Sequence, residues 1–386
     1  MAQRIALVAL AVAGVAACSR DRGITGPAAP LRRELSASAA SAADAEDTPG
    51  AVYTLMNQVA ANGGNAVAIF QRSAAGTLTA AGTVATGGTG TGSSLGSQGA
   101  LALSDDGRWL FTVNAGSNDI SAFRVSPAGL SLTDRHLSGG TKPISLTVHD
   151  NIVYVLNGGG SGNVSGFTVG SDGALAPIPG STRPLGGAAV DPAQVAFGPD
   201  GRWLVVTEKN TNSIDVYSVT PDGVASGPTP QAPAGAGIKP FGFAFGLRNE
   251  LIVSEAATGS ASSYTLGSSG RVTLVSGAVA THQGAPCWVG VTKNGRFAYS
   301  ANAASGTISG FAVGTDGSLS LLDASGVTAT VGPGNLDLAL SVNGRYLYQL
   351  RGSGPITALR VESDGHLTTL GVVGNMPGSV AGLAAR

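Results

Sequence analysis

One pattern recurs along this chain and limits how it can fold more than any other feature. An apolar strand leads into an Asp-Gly or Asn-Gly turn, and an aromatic-rich strand follows. A polar loop of Gly, Asn and Ser then leads to a third strand ending in an aromatic. The pattern reads SDDGRWLFTVNAGSNDISAFRV from Ser104, GPDGRWLVVTEKNTNSIDVYSV from Gly198, TKNGRFAYSANAASGTISGFAV from Thr292 and SVNGRYLYQLRGSGPITALRV from Ser341. Weaker copies start at Val148 and Gly246, and a partial copy at Ala51. The third-strand markers Phe70, Phe123, Phe167, Tyr217, Tyr264, Phe311 and Leu359 are 44 to 53 residues apart. A period of about 40 to 50 residues with several strands per unit is the signature of a propeller blade.

The spacing therefore predicts an all-β, seven-bladed β-propeller of four-stranded antiparallel blades over residues 51–386. The first copy starts at a second strand and lacks an innermost one. The C-terminal MPGSVAGLAAR is expected to supply it, Met376-Pro377 matching the Lys239-Pro240 and Ala285-Pro286 pairs that open innermost strands elsewhere. Such closure removes two open sheet edges. Composition agrees: 59 Gly and 19 Pro disfavour a helical bundle, while 43% hydrophobic residues suffice for a core. A net charge of −1 gives no basic excess for nucleic acid.

The N-terminus reads as an address. Arg4 precedes an apolar stretch from Ile5 to Ala17, too short to span a bilayer. It fits a secretory signal over residues 1–17. The stretch ends Val15-Ala16-Ala17-Cys18, which resembles the bacterial lipobox and implies lipid attachment at Cys18. Ser19 resembles a residue that permits passage to the outer membrane. Residues 18–50, rich in Ala, Ser and Pro, are expected to form a disordered tether. The expected location is the bacterial cell envelope, with the membrane reached through the lipid alone. Cys287, the other cysteine, is expected to be a buried small hydrophobe, with no intramolecular disulfide.

In an up-and-down blade, alternate connections lie on opposite faces. The Asp-Gly turns fall on one face, where Gly and Asp serve turn geometry. The other face gathers the loops after the second strands and before the first ones, around the mouth of the channel. Candidate ligand-binding residues there are Lys142, Gln194, Trp288, Asn114 and Asn302. Candidate catalytic residues are Glu208, Glu255, Asp337, His282, Lys239 and Arg351. A mixed-sign cluster at a channel mouth is a ligand-site expectation. The Gly-rich stretch from Thr86 lacks the lysine and helix of a phosphate loop and reads as a long connection to the second blade. No zinc, CxxC or Gly-x-Ser-x-Gly motif occurs, and no metal or cofactor is expected.

PDGRWLVVTEKNTNSIDVYSV, and APCWVGVTKNGRFAYSANAASGTISGFAV from Ala285, resemble blades of the lactonase-type seven-bladed propellers. That family includes bacterial phosphogluconolactonase and the eukaryotic carboxymuconate-lactonizing enzyme. FTVNAGSNDIS also resembles the YVTN surface-protein repeats. The resemblance implies the propeller fold and a lactone-hydrolysing activity that uses an Arg-His pair leading into an innermost strand. At the matching stretch, DPAQVAFGPDG, Ala193 and Gln194 stand where Arg and His are expected. The sequence thus favours a monomeric propeller binding a small molecule, glycan or protein at the mouth. The alternative is a lactone hydrolase with a carboxylate base and a Lys or Arg to steady the oxyanion.

Overall fold

The computed structural model describes residues 48–386 apart from Ala234 and Asn375. The signal peptide, Cys18 and nearly all of the tether lie outside the described residues. The described chain forms seven antiparallel blades, each with four strand positions. The innermost strands, in ring order, are Ala381–Ala385, Leu101–Leu103, Pro143–His149, Pro192–Phe197, Pro240–Phe245, Pro286–Val291 and Asn335–Leu340. We number the blades 1 to 7 in that order.

Each Asp-Gly or Asn-Gly turn closes itself. Asp106 Oδ1 accepts from Ser104 Oγ (2.7 Å) and from Arg108 N (2.9 Å). Asn294 does the same with Thr292 and Arg296, and Asn343 with Ser341 and Arg345. The glycine that follows takes a left-handed φ of 65° to 70° in all four strong copies, which few residues other than glycine adopt without cost. The third-strand markers are buried, all seven at 2% exposure or less.

Blades are joined through the same repeat. The aromatic residue opening the second strand lies on the glycine of the next blade's third-to-fourth turn. A Cβ on Gly173 would sit 2.4 Å from the Trp109 ring, and one on Gly270 2.4 Å from Trp203. Phe297 meets Gly365 and Tyr346 meets Gly76 in the same way. Second-strand tyrosines reinforce the seam: Tyr154 OH donates to Gly223 O (2.6 Å), Tyr299 OH to Gly365 O (2.7 Å) and Tyr348 OH to Gly76 O (2.9 Å). These glycines thus serve close packing as well as turn geometry.

The ring closes as expected. Val52 pairs with Ala385, Tyr53 with Ala384 and Thr54 with Leu383. Arg72 adds hydrogen bonds to the carbonyls of Arg386 (3.0 Å) and Thr48 (3.1 Å). Two details differ from the sequence reading. The first strand starts at Gly50, one residue earlier. The closing strand starts at Ala381, so Pro377 does not open it as Pro240 and Pro286 open theirs. Its register shifts at Thr54/Leu55, next to Gly382, whose φ is 71°.

Candidate functional site

Five innermost strands carry an irregularity at the same place. The register shifts between Pro143 and Ser145, Pro192 and Gln194, Pro240 and Phe243, Pro286 and Trp288, and Asn335 and Leu338. Bulges of this kind re-aim side chains and cluster near functional sites. Here they set Ser145, Gln194, Gly242, Trp288 and Asp337 at the third position of their strands, on the mouth side of the ring.

The long Gly-rich connection between blades 1 and 2 folds onto this ring and plugs it. Trp288 Nε1 donates to Ser97 O (2.9 Å), and Ser97 Oγ to Ile144 O (2.7 Å). Gln98 N donates to Ala193 O (3.1 Å). The Gln98 carboxamide engages Val289 through both atoms: Val289 N donates to Oε1 (3.0 Å) and Nε2 donates to Val289 O (2.8 Å). Gly99 N donates to Asp337 Oδ2 (3.4 Å) and Gly99 O accepts from Leu146 N (2.8 Å). A Cβ on Gly242 would lie 2.1 Å from Gln98 Oε1. Residues 97–99 therefore touch blades 3, 4, 5, 6 and 7. The sequence reading took this stretch for a plain connection. The polar groups of residues 97–99 find their partners across the assembled ring, which no local motif reveals.

Lys209 completes the seat. Its Nζ donates to Gly96 O (2.9 Å), pairs with Asp191 Oδ1 (3.1 Å) and lies 5.1 Å from the Phe241 ring centroid. Burial lowers its pKa, and the Asp191 charge opposes that shift. Phe241 stacks edge-on against Trp288 at 5.2 Å. Cys287 is buried beside them, its thiol pushed up to about 12 by burial, so it is a poor nucleophile. Lys209 was not singled out as a site residue. Its position directly after Glu208 in a second-strand loop was the one available signal.

The candidate residues do not converge as a mixed-sign cluster. Glu208 is 1% exposed, and its carboxylate accepts from Gly186 N (2.9 Å) and Thr211 Oγ1 (2.7 Å). Glu255 is equally buried and accepts from Ser260 Oγ (2.7 Å) and Tyr264 OH (3.3 Å). Asn114 and Asn302 are fully buried and tie second to third strands. Gln194 bonds both N and O of Phe243 (2.7 and 3.0 Å), stitching blade 4 to blade 5. Arg351 is half-buried against Gly332. These side chains brace the blades; they are not free charges at the rim. All but Gln194 lie at the last residue of a second strand.

Lys142, Lys239 and His282 are exposed. All three have a left-handed backbone, with φ values of 51°, 70° and 58°. Lys142 N and Lys239 N each donate to an Asn side-chain oxygen of the preceding blade, Asn118 Oδ1 (2.7 Å) and Asn212 Oδ1 (2.8 Å). Asp337 lies buried beneath Gly99, where burial pushes its carboxyl up to about 7. No group of three or more His, Cys, Asp or Glu suited to a metal occurs among the described residues.

A family profile described as "Lactonase, 7-bladed beta-propeller" matches residues 63–182 and 248–336, more than half of the sequence. The chain belongs to the lactonase family of seven-bladed β-propellers. Solved structures share the fold at low identity. A putative 6-phosphogluconolactonase from Bacteroides fragilis is 16% identical, with a TM-score of 0.68 over 87% of this chain and 98% of that one. The periplasmic gluconolactonase of Pseudomonas aeruginosa is 19% identical, with a TM-score of 0.67 over 86% and 98%. A protein from Lactobacillus plantarum is 19% identical, with a TM-score of 0.71 over 87% and 99%. No curated protein matches the chain. At these identities the neighbours establish the fold alone. Where the resemblance implies Arg and His, this lactonase-family chain has Ala193 and Gln194, and Gln194 is committed to the seam between blades.

Proposed function

We propose that this lactonase-family propeller binds an anionic small molecule or acidic glycan at its mouth rim. One observation carries this reading: Glu208, Glu255 and Asp337 are buried and the exposed Asp191 is neutralised by Lys209, while Lys142 and Lys239 face out. Those two lysines have no ion-pair partner among the described residues. Exposed cations over buried carboxylates favour an anion through charge and hydrogen bonding. Calorimetric titration with gluconate, glucuronate and neutral glucose tests this. Both acids should bind, glucose should not, and Lys142→Glu/Lys239→Glu should weaken binding at least about tenfold. Equal binding of glucose would sink the reading.

Lactone hydrolysis is the second reading, and one arrangement favours it. Asp337 and Lys209 grip the two ends of the plug, at Gly99 N and Gly96 O. Displacing residues 96–99 would open a carboxyl that titrates near neutrality and a cation to the same space. General-base hydrolysis needs both. Turnover of glucono-1,5-lactone by the wild type, lost in Asp337→Asn, would establish it and displace the binding-only reading.

We further propose export and lipid attachment at Cys18. Cys18→Ser should release the protein from membranes or leave an uncleaved precursor. Unchanged lipid labelling of that variant would refute the attachment.

A further inference from the structure

At the mouth side, three blades end the second strand in an asparagine whose amide donates to a serine hydroxyl of the third strand. In blade 2, Asn114 Nδ2 donates to Asp119 Oδ1 (2.6 Å) and Ser121 Oγ (2.8 Å). In blade 3, Asn157 Nδ2 donates to Asn163 Oδ1 (2.8 Å) and Ser165 Oγ (3.4 Å). In blade 6, Asn302 Nδ2 donates to Thr307 Oγ1 (3.0 Å) and Ser309 Oγ (2.9 Å). Blade 4 breaks the pattern. Glu208 replaces the amide and Asp215 replaces the serine, so a donor and a hydroxyl have both become carboxyls.

Glu208 pairs in register with Ser213, and Val206 with Asp215. The two carboxyls therefore lie on one face at diagonal positions, and each is nearly or fully buried. Asp215 Oδ1 accepts from Ser213 Oγ (3.0 Å). Asp215 Oδ2 is buried with no hydrogen-bond partner among the described residues. No Lys, Arg or His pairs with either carboxyl among them. Lys209, next in sequence, turns to Asp191 and Gly96. The titratable neighbour is Tyr217, which donates to Pro184 O (3.0 Å). Two adjacent buried carboxyls without a cation cannot both ionise at ordinary cost.

We propose that Glu208 and Asp215 share one proton, forming a pH-responsive joint that fastens the loop around Gly186 to blade 4. Gly186 closes against the pair: its N–H donates to Glu208 Oε1 (2.9 Å), and a Cβ there would lie 2.8 Å from Asp215 Oδ2. The loop continues to Asp191, the ion-pair partner of Lys209. The joint thus sits in the wall of the mouth and does not depend on what the mouth binds. Burial first, and then the Glu208 carboxyl, push Asp215 up to about 7.

The sign follows from the raised folded-state value. The joint's contribution is full below the ordinary carboxylate range and is lost as pH rises to about 7. Thermal unfolding between pH 4 and 7.5 should show wild-type Tm falling more than that of Glu208→Gln, by about 2 °C or more. Asp337 titrates in the same window but cancels in the difference, because both proteins contain it. Asp215→Ser, which restores the side chain found in blades 2, 3 and 6, should flatten the profile likewise. At pH 6 the infrared difference spectrum, wild type minus either variant, should show a carboxylic-acid carbonyl stretch, the Asp337 band being common to all three proteins. Parallel Tm profiles, or a difference spectrum without an acid band, would overturn the joint. So would calcium raising the Tm of the wild type but of neither variant, since the pair would then hold a metal ion.

Discussion

The two rims of this propeller come from the same seven repeats and handle polar groups in opposite ways. On the turn rim, the Asp-Gly and Asn-Gly turns find their polar partners in neighbouring residues, and tyrosines reach only the adjacent blade. Asp106 serves Ser104 and Arg108, and Asp200 serves Arg202, each within two residues. On the mouth rim, partners come from distant parts of the chain. Gln98 meets Val289 and Gly99 meets Asp337, 191 and 238 residues away. The turn rim shapes each repeat and joins it to its immediate neighbour, whereas the plug at the mouth ties blades from across the ring. Function is therefore to be sought where local rules stop explaining the residues.

The comparison can be broken most directly at Trp288. Trp288→Ala removes a buried ring that touches Phe241 and the plug, and should cost about 3–5 kcal/mol in urea unfolding. A cost below about 1 kcal/mol would mean that the mouth rim does not depend on the plug. Gln98→Ala comes next. It leaves Val289 N and O without partners and should cost about 2–3 kcal/mol. In a Trp109→Phe/Trp203→Phe background, the same change should raise acrylamide quenching of Trp288. Unchanged quenching would show that residues 97–99 do not seal the ring.

The turn rim should give smaller effects. Asp106→Ala is expected to cost less than about 1 kcal/mol, since its partners are local and the Arg108 end of the turn is exposed. Its carboxyl is held down at about 2 by Ser104 and the Arg108 backbone, against an ordinary 3.8. With the folded value lowered, this contribution is present above pH 3.8 and disappears as pH falls towards 2. An acid-unfolding profile unchanged by Asp106→Ala contradicts that assignment. Smallest of all, Lys142→Glu/Lys239→Glu should leave stability within about 0.5 kcal/mol, both side chains being exposed. A larger loss would assign those lysines a structural task that the contrast between the rims denies them.

The legible part of the fold followed from residues whose meaning is local. The Asp-Gly turns, the alternating strands and the third-strand aromatics gave the blade and its period, and the missing first strand gave the closure. The mouth was less legible. Lys142 and Lys239 look like rim charges in sequence and are exposed. Glu208 and Glu255 look the same, yet both are buried under the loops that precede Gln194 and Gly242. Strand ends in sequence carry no mark of which neighbouring loop will fold over them. The glycines of the third-to-fourth turns were half read: their left-handed φ is a local property, but the aromatic ring of the preceding blade is not.

The sequence by itself determined the family, the seven-fold repeat, the turn chemistry and the pairing of the two ends. Those properties depend on period and backbone conformation, which act within a few residues or repeat at fixed distance. Only the tertiary structure decided that the Gly-rich connection would fill the channel. It also decided that the Gln98 carboxamide would engage Val289, and that the loop around Gly186 would bury Glu208 and Asp215. The plug contacts join segments from different places in the ring and form only once the packing of the blades has closed the circle, whereas the carboxyl pair lies within one hairpin and is covered by the loop around Gly186.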